Sequence, residues 1–175
     1  RPYFVFGNTF NNPSFGSFSM TEGYANEATG AYAHAEGENT KASGTASHAE
    51  GMNTTASWSE SHAEGYITVA SGDYSHAEGE GTRATSQAQS VVGRYNLENP
   101  DAIFIIGNGE NSSNRSNALE VLKDGRATIE KDPEGPKDIT NKNYVDKQIN
   151  SIISTGFLNI ENGESEYSVV QKNNN

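Results

Sequence analysis

Four copies of one five-residue phrase recur at a fixed spacing of 14 residues, and nothing else in the chain limits its fold so strongly. They are Ala33-His34-Ala35-Glu36-Gly37, Ser47-His48-Ala49-Glu50-Gly51, Ser61-His62-Ala63-Glu64-Gly65 and Ser75-His76-Ala77-Glu78-Gly79. A strict short period is the signature of a solenoid, in which each repeat stacks on the next. A degenerate copy, Ser19-Met20-Thr21-Glu22-Gly23, lies one step earlier, and Gln89-Ser90-Val91-Val92-Gly93, one step later, keeps only the glycine. Terminal repeats are expected to be atypical because they cap the stack.

Each repeat has a second half, as in Thr40-Lys41-Ala42-Ser43-Gly44, Thr54-Thr55-Ala56-Ser57-Trp58 and Thr68-Val69-Ala70-Ser71-Gly72. Alanine therefore returns every seven residues, at Ala49, Ala56, Ala63 and Ala70. A coiled-coil heptad needs large apolar residues at positions a and d. The regular positions here are Ser, Ala, Gly and Thr, and each glycine costs a helix interior about 1 kcal/mol. Strand geometry fits instead. Alternation puts Ser47, Ala49 and Gly51 on one face and His48 and Glu50 on the other. The second strand turns Thr54 and Ala56 inward and Thr55 and Ser57 outward. Only small side chains fit between two strands that lie close together. The expected fold is a narrow parallel β-roll, one turn per 14-residue unit, rising about 4.8 Å per coil.

A core of alanines and hydroxyls buries little apolar area. At about 25 cal/mol per Å² it does not offset an ordering cost of about 1–2 kcal/mol per residue. Such a roll needs a partner surface, and copies of itself are the simplest. His34, His48, His62 and His76 form one outward column, and Glu36, Glu50, Glu64 and Glu78 the next. These eight residues are the trimer-interface candidates on the roll.

The SHAEG…TxASG repeat resembles the head repeats of YadA-like trimeric autotransporter adhesins. It is more similar still to SHAEG-repeat proteins of bacteriophage tail fibres and of appendages on phage-derived particles. The resemblance covers residues 19–93 and implies a left-handed parallel β-roll, three chains around one axis, and a role in a fibre. In the adhesin heads the positions matching His48 and Glu50 are apolar and face the trimer interior, so this sequence departs there. Ile103-Phe104-Ile105-Ile106-Gly107-Asn108-Gly109 with Arg115-Ser116-Asn117-Ala118 resembles a module that follows such repeats in phage tail proteins. Asp138-Ile139-Thr140-Asn141-Lys142-Asn143-Tyr144-Val145-Asp146 resembles the neck before a trimeric coiled coil.

The expected organisation is mainly all-β. Residues 1–18, with Phe4, Phe6, Phe10, Phe15 and Phe18, form an aromatic cap or the end of a preceding roll. The roll spans 19–93. A small antiparallel β-module spans 94–131, with a strand at Ala102–Ile106, another at Leu119–Leu122, and the hairpin signal Asp124-Gly125. A connector or neck covers 132–142. A short coiled-coil helix covers 143–155, capped by Thr140 or Asn141, with Val145, Ile149 and Ile152 as its seam. Residues 156–175 begin a further β segment, and the chain reads as a piece of a longer polypeptide.

The chain has 175 residues, no cysteine and a formal charge of −11. The acidic balance argues against nonspecific nucleic-acid binding, which uses clustered Lys and Arg. No apolar run is long enough for a membrane-spanning helix. No disulfide or Cys–zinc site can form. A histidine column invites a metal, but a linear column at strand spacing is expected to offer at best pairs of ligands, whereas sites converge from several directions. Stacked glutamates in identical environments lack the split roles of a glycosidase pair. No nucleophile elbow, P-loop or dinucleotide fingerprint appears. The reading is non-enzymatic, with no cofactor and no metal. Tyr24, Tyr32, Trp58, Tyr66 and Tyr74 sit at or near turns and are the candidate receptor contacts, since exposed aromatics stack on sugars of a host-surface glycan. The leading expectation is a structural segment of a phage or phage-derived tail fibre in the virion, joined to other tail or baseplate proteins and supporting host attachment. The alternatives are an adhesin head on a bacterial cell surface and, from the enzyme class, a tailspike depolymerase.

Overall fold

The computed structural model describes residues 4–6, 15–135 and 138–155. The cap reading for the side chains of Phe4, Phe6 and Phe10, and the β segment expected at 156–175, lie outside the described residues. The chain divides into two units, Arg1–Glu130 and Lys131–Asn175.

In chain order the elements are β1 (Phe4–Phe6), β2 (Met20–Tyr24), β3 (Glu27–Ala28), β4 (His34–Glu38), β5 (Lys41–Ala42), β6 (His48–Met52), β7 (Thr55–Ala56), β8 (His62–Tyr66), β9 (Val69–Ala70), β10 (His76–Glu80), β11 (Arg83–Ala84), β12 (Ser90–Arg94), β13 (Ala102–Asn108), β14 (Asn117–Leu122), β15 (Ala127–Ile129) and α1 (Lys142–Thr155). The first unit is a β-solenoid. Long strands of one coil alternate with two-residue strands of the other side, so two sheets face each other. From β2 to β13 the long strands pair parallel in strict 14-residue register, with His48 beside His62, Ala49 beside Ala63, and Gly51 beside Gly65.

The core is as thin as the repeat requires. Ala35, Ala49, Ala63 and Ala77 from the long strands and Ala28, Ala42, Ala56, Ala70 and Ala84 from the short ones are fully buried. Thr40, Thr54, Thr68 and Thr82 line the same interior, as do Ser47, Ser61 and Ser75. Each serine fastens the preceding turn: the Ser47 hydroxyl donates to the Gly44 carbonyl at 2.8 Å and the Ser61 hydroxyl to that of Trp58 at 2.6 Å. Asparagine closes the threonine column at both ends. Asn26 Oδ1 accepts from the Thr40 amide and Asn96 Oδ1 from the Arg83 amide.

The roll outlasts the phrase that announces it. Gly93 pairs with Gly107 and Val91 with Ile105, so Ile103-Phe104-Ile105-Ile106-Gly107 occupies the register of one more coil. The boundary drawn at 93/94 is thereby corrected: β13 belongs to the parallel stack, and the antiparallel part starts at β14. Periodic hydrogen bonding needs only a compatible backbone and a glycine at the crowded position, not the Ser-His-Ala-Glu residues. Bulky Ile105, fully buried in the alanine column, fits because no short strand faces it across this coil. At the other end β1 pairs parallel with β2. β14 and β15 complete the expected antiparallel hairpin around Asp124-Gly125.

Gln89 fills the serine position of the penultimate coil and binds four backbone groups. Its Oε1 accepts from the Thr85 and Ser86 amides, and its Nε2 donates to the Asn99 and Ala102 carbonyls. In the second unit, Asn141 Oδ1 accepts from the Tyr144 amide at 2.7 Å, which makes Asn141 the N-cap of α1.

Candidate functional site

The outward face of the long strands carries the arrangement with the most chemistry. Strand alternation sends each histidine and glutamate out while the alanine between them goes in. Identical register then stacks like on like. The imidazole rings of His34, His48, His62 and His76 lie face to face at 4.8, 4.7 and 4.8 Å between successive centroids, within 11° of parallel. Their Nε2 atoms point at the glutamate column, and those of His34 and His62 each lie within 4.0 Å of two rungs. His34 Nε2 lies 3.9 Å from Glu22 and 4.0 Å from Glu36; His62 Nε2 lies 3.6 Å from Glu50 and 3.9 Å from Glu64. His48 and His76 stand 3.8 Å from Glu36 and Glu64 respectively. These separations exceed hydrogen-bond length. All four Nε2 atoms are inaccessible to solvent and have no hydrogen-bond partner.

Packing sets the charge state of the inner rings. Burial, followed by neighbouring imidazoles, lowers the pKa of His48 and of His62, and this outweighs the carboxylates that favour protonation. Beyond the glutamates lies an open groove of about 730 Å³. Glu22, Glu36, Glu50, Glu64 and Glu78 form its wall, and Gly23, Gly37, Gly51, Gly65 and Gly79 its floor. The expectation that the column supplies ligand pairs at most is corrected. Carboxylates from the adjacent column join the imidazoles, giving three ligand atoms within 4.8 Å of one another in each of three groups: Glu22–His34–Glu36, Glu36–His48–Glu50 and His62–Glu64–His76. Glu22 was not among the expected site residues. Its signal was the degenerate copy at 19–23, which keeps the glutamate in register.

The five aromatic candidates are exposed but do not form one patch. Tyr24 and Tyr66 end long strands, at one edge of the roll. Tyr32, Trp58 and Tyr74 occupy the turns that lead from short to long strands, at the other edge. Tyr24 and Tyr66 are separated by three coils, as are Tyr32 and Tyr74. The stacked aromatic pair on this edge is Phe18 with Tyr32, at 5.4 Å. Arg115, in the loop after β13, clamps that loop to the roll. Its guanidinium donates to the Gly81 and Asn96 carbonyls at 2.9 and 3.1 Å and lies over the Tyr95 ring. On α1, Val145, Ile149 and Ile152 are each more than a third exposed.

The fold and this face define a β-solenoid repeat protein with a polar ladder on one sheet. No family model, curated protein or solved structure matches the chain.

Proposed function

We propose that the chain is a structural segment of a trimeric tail fibre or appendage of a bacteriophage or phage-derived particle, supporting host attachment. The observation that carries this reading is α1. It is a 14-residue helix that leaves Val145 and Ile149 exposed one turn apart. A helix of that length is marginal in water, and its stripe gains stability by packing against equivalent stripes of other copies. The thin core of the roll points the same way, because alanines and hydroxyls leave little apolar area to stabilise one chain. The SHAEG repeat and the neck-like segment before α1 supply the resemblance to tail fibres. The mechanism is mechanical: stacked, mutually bonded coils make a stiff stalk that spaces a recognition tip from the particle. The aromatics at the roll edges are the surface offered to a host glycan.

Light scattering of residues 1–175 tests the assembly. The expected mass is about three times the 18.8 kDa of one chain. Val145→Ser with Ile149→Ser should lower that mass. A folded monomer of the unaltered chain refutes the reading. Antibodies against the roll should label particle tails in electron micrographs; label on the bacterial envelope would transfer the chain to the adhesin class.

A further inference from the structure

The histidine–glutamate ladder has a chemistry that a stalk does not need. Each Nε2 faces a carboxylate at 3.6–4.0 Å, those of His34 and His62 face two, and all four are shielded from water and make no hydrogen bond. Two such groups, Glu22–His34–Glu36 and His62–Glu64–His76, share no residue. Five glutamates follow one another at one-coil spacing along the groove, and the column that flanks them is imidazole, with no lysine or arginine in it.

We propose that this face binds divalent transition-metal ions of the zinc class, two per chain, one in each of the two groups that share no ligand. Two ligands on one tetrahedral zinc ion lie about 3.4 Å apart, from bond lengths of about 2.0–2.2 Å. The nitrogen–oxygen separations within the two groups are 3.8–4.0 Å, so a small carboxylate rotation closes the site. Imidazole with carboxylate suits Zn²⁺, Co²⁺ and Ni²⁺, whereas Mg²⁺ and Ca²⁺ prefer all-oxygen shells. In the first group the ion balances two carboxylates that otherwise repel along the column; in the second it joins one carboxylate to two imidazoles. Three protein ligands leave a coordination position open toward the groove, for water or a group on a bound molecule. Every ligand in a group comes from one chain, so the inference stands apart from the trimer.

The test is calorimetric titration of chelator-stripped residues 1–175 with ZnCl₂, and with MgCl₂ in parallel. The expected result is two Zn²⁺ per chain. Glu36→Gln with Glu64→Gln removes a carboxylate from each of the three groups. It should weaken Zn²⁺ by more than the about 10–100-fold that loss of an outer-shell partner costs. Glu38→Gln with Glu60→Gln removes the same charge away from the ladder and should change nothing. Absorption of the Co²⁺-loaded unaltered protein needs no variant and should show the intense visible bands of a tetrahedral nitrogen–oxygen site. Equal weakening in both variants, equal affinity for Mg²⁺, or the pale spectrum of hydrated Co²⁺ would overturn the proposal.

Discussion

Two glycines with similar backbone angles separate the cost of the coil stack from the cost of the backbone itself. Gly65 has φ +104°, and a Cβ there would lie 2.2 Å from the Gly79 carbonyl oxygen. Gly125 has φ +87°, and a Cβ there meets nothing within 4 Å. Alanine in either place carries backbone strain of about 1–3 kcal/mol. Only at Gly65 does it also strike the next coil, more than about 1 Å inside a normal contact. That coil cannot retreat, because β8 is bonded to β6 on one side and β10 on the other. Overpacking of this kind costs about 1–3 kcal/mol, and each ladder bond lost adds about 1. Gly65→Ala should therefore lose about 2–4 kcal/mol more than Gly125→Ala. Thermal unfolding followed by circular dichroism should separate the two midpoints by about 10 °C. Equal midpoints would refute the argument that glycine is present because coils touch there.

Three further outcomes follow from the same geometry. Gln89→Ala strands four backbone groups at the end of the roll and should cost about 2–4 kcal/mol in urea unfolding; a loss under about 1 would mean those groups find other partners. Thr68→Val replaces a buried hydroxyl that has no partner, so its urea midpoint should hold or rise, and a large fall would show that the hydroxyl is bonded. In metal-chelating buffer, stability should fall with pH below about 6.5, because unfolded His48 and His62 bind protons more readily than the folded residues with their lowered pKa values. The contribution is present above the unfolded value and is lost as pH falls through the folded one. Urea midpoints at pH 7.5 and 5.5 measure it, and His48→Gln with His62→Gln should shrink the difference; no difference in the unaltered protein would sink the reasoning.

The columns were legible from period and alternation alone, because a 14-residue coil with two strands brings each histidine onto the last. The cap of α1 was legible as Thr140 or Asn141, of which Asn141 makes the bond, and the hairpin was legible as Asp124-Gly125. The seventh long strand of the stack was hidden, since Phe104 to Gly107 shares only glycine with the phrase. The three-ligand groups were also hidden. Alternation assigns His62 and Glu64 to one face, but the direction of an imidazole and its offset between two rungs depend on ring stacking.

What the sequence determined by itself was the period, the small-residue interior and the polar outer columns, all consequences of repeated spacing and strand parity. What the tertiary structure alone decided was how the coil turns its corners. Ala25, Asn39, Asn53, Ile67 and Tyr95 at one corner, and Phe18, Tyr32, Ala46, Glu60, Tyr74 and Ala88 at the other, all have positive φ. Among them only the asparagines favour that region locally. The rest are held there by bonds between coils, such as Ile67 N–H to Met52 O at 3.0 Å and Ala46 N–H to Ala31 O at 2.7 Å. A left-handed residue that glycine would signal is instead imposed by the neighbouring turn of the stack, which no local reading of the chain contains.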